Sequence, residues 1–207
     1  MNSSDIEKIS RQTGVPIREL NKLNHTDWYH GTTLKHAESL QTLGVQAAFN
    51  IGLSLDFGAG FYLTDTFQKA QSYIKRVHLI GNLNEATNLK CVVQYEFDPL
   101  EVLFGQKNSF KWCHFPKHNH EFAKFVLMNR LRNTFNENPH HYDLIWGVMS
   151  DNFPDRIIND LKNGFITEDE ALRRIQKPNS MKQLYLGSQD LCDMLKLVTV
   201  TKIEREV

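Results

Sequence analysis

The chain has 207 residues, enough for one domain with a full core, and its 41% hydrophobic and 23% charged residues exclude a disordered chain. Basic and acidic residues balance at 24 each, so no net field draws the molecule to nucleic acid or to an anionic membrane. Cys91, Cys113 and Cys192 are too few and too scattered for a disulfide framework or a paired metal motif, and read as buried thiols in a reducing compartment.

Met1-Asn2-Ser3-Ser4-Asp5-Ile6 lacks the basic run and apolar stretch of a secretory signal. No apolar run reaches the roughly 18 residues that span a bilayer, so the expected location is cytoplasmic, with no membrane partner. Ile6, Ile9, Val15, Ile17, Leu20 and Leu23 punctuate residues 1–24, with Gly14 between two helix-like stretches and Pro16 suited to the start of the second. Residues 1–25 therefore read as a helical hairpin appended to a main domain over 26–207. The same stretch looks like the opening of a helix-turn-helix, but no recognition helix follows before the strand-like segment at Trp28, and a helix pair capping the main domain is preferred.

From there the pattern alternates. It predicts a strand near 28–32, a helix over 33–43, a Gly-rich loop and strand near 52–64, and a helix over 65–77 opened by Thr64 or Asp65. Residues 89–97 form the clearest strand, with Cys91, Val92 and Val93 followed by alternation through Tyr95 and Phe97, and Asp98-Pro99 stops it. It is expected to be central. Phe122, Phe125, Val126, Met128 and Leu131 recur at helical spacing over 120–133, and 142–147 reads as a short strand. A helix pair follows over 155–163 and 167–176, the second opened by a capping box of Thr167 and Glu170. Strands over 183–187 and 198–205 flank a short helix over 189–195, while 80–88 and 105–118 read as loops. The sum is a β-rich α+β domain with packed helices.

Two segments carry the chemistry: Trp28-Tyr29-His30-Gly31-Thr32-Thr33 and Asp56-Phe57-Gly58-Ala59-Gly60-Phe61-Tyr62-Leu63-Thr64. A histidine can bond a sugar hydroxyl, a bare glycine backbone can pair with an amide, and a tyrosine face can stack on a flat cationic ring. Together they suggest a nicotinamide dinucleotide pocket. Taken singly, His30 reads as a core histidine, Tyr62 as a strand residue, and Gly58 and Gly60 as a turn or bulge; their joint order points to a ligand. Gly58-Ala59-Gly60 lacks a third glycine and leads into a strand, which argues against a Rossmann fingerprint. Cys113-His114, His118, His120 and His140-His141 lack zinc spacing, so no metal is expected and the cluster reads as a solvated or substrate-facing loop. Lys75, Arg76, His78, Arg130 and Arg132 read as solvated helix surface in preference to a phosphate-binding face.

Tyr29-His30-Gly31-Thr32 and Gly58-Ala59-Gly60-Phe61-Tyr62-Leu63-Thr64 resemble the first two motifs of the ADP-ribosyltransferase superfamily, on its diphtheria-toxin and poly(ADP-ribose)-polymerase side. With Tyr142-Asp143-Leu144-Ile145-Trp146-Gly147, Ser150-Asp151-Asn152 and Lys182-Gln183-Leu184-Tyr185-Leu186, the chain is similar to a largely bacterial family of ADP-ribosyltransferase-like proteins over about residues 28–197. The resemblance implies a split antiparallel β-sheet core with flanking helices, and NAD as substrate without a metal. It further implies mono-ADP-ribosyl transfer to a protein or nucleic-acid acceptor, in the manner of a bacterial toxin or effector. In its terms His30 bonds the adenosine ribose, the Gly31 backbone pairs with the carboxamide, and Tyr62 stacks on nicotinamide. Thr32, Gly60 and Phe61 complete the cofactor contacts, and Tyr73 supplies the second tyrosine.

The third motif position, a glutamate in the wider superfamily, is Gln183 here, which can bond a ribose hydroxyl but brings no charge. Some other carboxylate then has to support the oxocarbenium-like transition state: Asp151 is preferred, with Asp143 and Glu121 as the other candidates and a helix cap as the plain alternative for Asp151. A non-catalytic NAD or ADP-ribose binding module and an NAD glycohydrolase are the competing readings.

Overall fold

At the N-terminus Asn2 accepts the Asp5 backbone N–H at 3.0 Å while the Asp5 carboxylate takes the Asn2 N–H, a capping box that starts the first helix. The computed structural model describes residues 1–49, 55–80, 89–105, 110–132, 140–150, 154–179 and 181–204. Its helices are α1 (Ser3–Thr13), α2 (Ile17–Leu20), α3 (Leu34–Leu43), α4 (Phe67–Ile80), α5 (His120–Arg132), α6 (Pro154–Lys162), α7 (Glu168–Ile175) and α8 (Gln189–Asp193). The strands are β1 (Asp27–Thr33), β2 (Phe61–Leu63), β3 (Lys90–Glu96), β4 (Trp112–Phe115), β5 (Leu144–Val148), β6 (Lys182–Leu186) and β7 (Lys196–Lys202). The fold is α+β, with two mostly antiparallel sheets and flanking helices.

The chain divides into two units. The first comprises Met1–Val45, Leu63–Phe110 and Asp193–Val207. Its sheet has the order β1-β3-β7, antiparallel throughout, so β3 is central as its apolar run requires. His30 lies opposite Val93 and Gly31 opposite Val92, and a bulge interrupts the β3–β7 ladder between Gln94 and Tyr95. Helix α4 packs on β1 and β3 through Ala70 and Ile74, which meet Val92 and Ile203. In the terminal hairpin Ile6, Ile9, Leu20 and Leu23 are buried, whereas Val15 is half-buried and Ile17, which the apolar spacing also singles out, is exposed. Trp28 is fully buried, stacked on His25, and its indole N–H donates to the Phe97 carbonyl at 3.0 Å.

The second unit comprises Gln46–Tyr62 and Lys111–Cys192. The four-stranded sheet has the order β2-β6-β5-β4. β5 and β6 are antiparallel with Gly147 opposite Gln183, whereas β4 runs parallel to β5. Phe57, Phe122, Val126, Ile145, Ile157, Leu172 and Tyr185 belong to its core. Helix α7 starts at the expected cap, with half of the expected box: the Thr167 hydroxyl accepts the Glu170 N–H at 3.3 Å, while the Glu170 carboxylate pairs with Arg173 and Arg174.

One expectation about the elements needs correction. The loop reading of 105–118 misses β4, whose residues are all half-buried and so show no alternation, and whose partner β5 lies some thirty positions downstream. The expected Gly-rich loop is a turn through Gly60, and the strand expected after it is β2 from Phe61; residues 52–54 lie outside the described residues. So does nearly all of the 80–88 segment. No helix among the described residues is long and apolar enough to cross a membrane.

Candidate functional site

In the first unit His30, Gly31 and Thr32 occupy the middle of β1, with His30 half-buried and Gly31 and Thr32 buried. The packing of α4 explains the glycine. A Cβ at Gly31 would run into the Ala70 carbonyl oxygen and come within 3.1 Å of Ile74 Cβ. Bareness at this position thus lets a helix lie close on the strand, a role the sequence attributes to a ligand. Tyr73 is on α4, 38% exposed.

Gly60, Phe61 and Tyr62 belong to the second unit, as does Gln183. Gly58 has φ +84°, which lets the turn close, and Tyr62 staples it: the phenol donates to the Gly58 carbonyl at 2.7 Å and accepts the Phe57 N–H at 3.1 Å. Burial, reinforced by Tyr185 and Asp56, pushes the Tyr62 phenol well above its ordinary range, against the Phe57 N–H and Arg130, which lower it. It is a neutral donor. Its ring packs against Phe57 and Tyr185. Gly60 faces Tyr185 directly, since a Cβ there would collide with the phenol ring and lie 2.7 Å from the Leu186 carbonyl.

The turn opens on Asp56, 4% exposed, and this carboxylate gathers the unit's polar core. Oδ1 accepts from Arg130 Nη2 at 2.6 Å and Nε at 3.1 Å, a forked charge-assisted contact. Oδ2 accepts the Ser150 N–H at 2.7 Å and Gln183 Nε2 at 3.3 Å. Asn129 donates to the Asp56 backbone carbonyl at 2.9 Å, and Arg130 extends to Asp155 at 2.9 Å. Asp56, Arg130, Asn129, Ser150 and Gln183 are all buried. A buried carboxylate survives only when paired and bonded in this way. Beside it, His140 Nε2–H donates to the Phe57 carbonyl at 2.6 Å, and Nδ1 accepts the Tyr142 N–H at 3.1 Å. Burial lowers the His140 pKa, opposed by the Phe57 carbonyl, so this ring is a neutral brace with both nitrogens engaged.

A family model described as a protein of unknown function (DUF3990) matches residues 29–197, most of the chain. The chain belongs to this family. A comparison with curated proteins gives no match.

The matched span of the DUF3990 chain encloses all three motif segments and the Asp56 cluster. Asp151 lies outside the described residues. Of the other carboxylates, Asp143 accepts the Lys111 N–H at 2.8 Å and Glu121 is an exposed residue of the first turn of α5. Arg130, expected on a solvated helix face, is instead the buried cation of the DUF3990 cluster. The signal lies in the helical spacing: Arg130 stands four residues beyond Val126 and three beyond Leu127, on the stripe of α5 that carries the buried Phe122. Among the described residues no group of histidines, cysteines and carboxylates could hold a metal ion. His114 lies in β4 and His120 opens α5, so these residues of the histidine cluster are parts of regular elements and not of one loop.

Proposed function

We propose that the protein is a mono-ADP-ribosyltransferase that binds NAD, cleaves the nicotinamide–ribose bond and passes ADP-ribose to a macromolecular acceptor. The observation that carries this reading is the succession of motif residues on strands: His30-Gly31-Thr32 in β1, Phe61-Tyr62 in β2 behind the Gly58–Gly60 turn, and Gln183 in β6. Cleavage builds positive charge at the ribose carbon, and a hydrogen bond from ribose hydroxyl to the Gln183 carbonyl would orient the sugar while leaving that charge to be stabilised elsewhere. A tyrosine face against the pyridinium would add roughly 0.5–2 kcal/mol. Incubation with labelled NAD and lysate should label an acceptor, and His30→Ala or Tyr62→Ala should abolish the label; absence of label with every acceptor class would overturn the transferase reading.

One observation favours a second reading, a non-catalytic NAD or ADP-ribose binding module. Gln183 is neutral, and the carboxylate it touches is already matched by Arg130. Calorimetry that detects NAD binding without release of nicotinamide would select this module, whereas nicotinamide release without acceptor labelling would select a glycohydrolase.

A further inference from the structure

Position 183 faces a buried carboxylate, and a carboxylate only accepts hydrogen bonds. The group opposite Asp56 Oδ2 must therefore be a donor. Glutamine meets that demand with its amide nitrogen, which settles by chemistry which end of the amide points at Asp56 and turns the carbonyl Oε1 the other way. Asp56 in turn cannot rotate, since Arg130 holds Oδ1 by two bonds and the Ser150 N–H shares Oδ2 with Gln183. An ionised glutamate at 183 would place a second acceptor against Oδ2 at the 3.3 Å now bridged by an N–H.

We propose that Asp56 is the positioning residue of the third motif: it holds Gln183 by the amide nitrogen, so that a ligand meets the carbonyl oxygen, an acceptor matched to a ribose hydroxyl. The ligand half of this proposal rests on the NAD reading above. Asp56 also makes glutamate unsuitable at 183. Two carboxylates sharing one site do not both ionise near neutral pH, so a glutamate there has to hold a proton. The groups that set its titration are Asp56, Arg130 with Asp155 behind it, and the phenols of Tyr62 and Tyr185. Replacing Asp56 by asparagine reverses the polarity. Its Oδ1 stays with Arg130, its amide nitrogen faces position 183 and takes the acceptor from the Ser150 N–H, a loss common to the single and the double variant, and Gln183 must flip and offer its own nitrogen to the ligand. A glutamate at 183 then becomes acceptable again, because the Asn nitrogen donates to it.

The test uses the full chain and the variants Gln183→Glu, Asp56→Asn and the double variant Asp56→Asn with Gln183→Glu, each melted at pH 5.5 and 7.5 and titrated with NAD. Gln183→Glu should lose melting temperature between pH 5.5 and 7.5 relative to wild type, and the double variant should lose that excess pH dependence. Asp56→Asn should weaken NAD binding at least tenfold, and the double variant should recover it to within about threefold, a rescue that a merely structural role for Asp56 does not give. Melting curves of Gln183→Glu that track wild type at both pH values overturn the pairing, whether or not NAD binds. Unaltered NAD affinity in Asp56→Asn overturns the positioning role. A wild-type chain that binds no NAD overturns the NAD reading and the ligand half of the proposal together, while the melting series still decides the pairing.

Discussion

Replacing Gly60 by alanine separates two reasons for a glycine in the Asp56-Phe57-Gly58-Ala59-Gly60-Phe61-Tyr62 segment. A Cβ there would meet the Tyr185 ring, at 2.8 Å from Cζ, and would sit 2.7 Å from the Leu186 carbonyl oxygen. Neither neighbour can give way. Tyr185 is fully buried, donates its hydroxyl to the Ala59 carbonyl at 2.7 Å and packs against Phe57, Tyr62 and His140. Leu186 is backbone in a paired strand, opposite Leu144. Overpacking of this kind costs about 1–3 kcal/mol, and at a urea slope of about 1–3 kcal/mol per M the midpoint should fall by roughly 1 M. Urea titration followed by tryptophan fluorescence reads the change. A Gly60→Ala protein with the wild-type midpoint and lost NAD affinity would refute the packing argument and return the glycine to the ligand.

Arg130→Met leaves Asp56 buried without its cation and should cost about 3–5 kcal/mol in thermal or urea unfolding, whereas Asp155→Ala, whose side chain is 61% exposed, should cost about 0–1 kcal/mol. His140 is held below its ordinary pKa by burial, so between its folded value and the unfolded value of about 6.5 the unfolded chain binds more protons. Stability from this residue is thus complete above that unfolded value and falls as pH drops through the folded one; melting from pH 8 to 5 should show a decline that His140→Gln flattens. Burial, with a smaller contribution from Glu38, pushes the Cys91 thiol up to about 11, and its thiolate fraction at neutral pH is below about one in a thousand. Mass spectrometry after iodoacetamide treatment should find Cys91 unmodified in the native protein and alkylated after denaturation.

Local pattern carried the sequence reading where neighbours in the chain are also neighbours in space. The Thr167 cap on the Glu170 N–H, the helical spacing from Phe122 to Leu131 and the apolar run through Cys91, Val92 and Val93 report contacts within a turn or a strand, and those elements lie where the sequence predicts them. β4 is not legible in the sequence because its identity depends on a parallel partner some thirty residues away. Asp56 stood inside a motif quoted for its glycines and tyrosine, yet nothing within a few positions of it reveals its partners. Those partners are Arg130, Ser150 and Gln183, up to 127 positions distant.

The sequence by itself determined the α+β alternation and the order of the motif segments, since both follow from side-chain periodicity and residue type along a short window. Tertiary structure alone decided what those residues touch. Chain reversal brought Arg130 from an apparent surface face onto a buried carboxylate, gave Gly31 a helix and Gly60 a tyrosine ring as neighbours, and set the amide of Gln183 against Asp56. A charge or an amide acquires its meaning from the partner that burial supplies, and that partner is chosen by the fold.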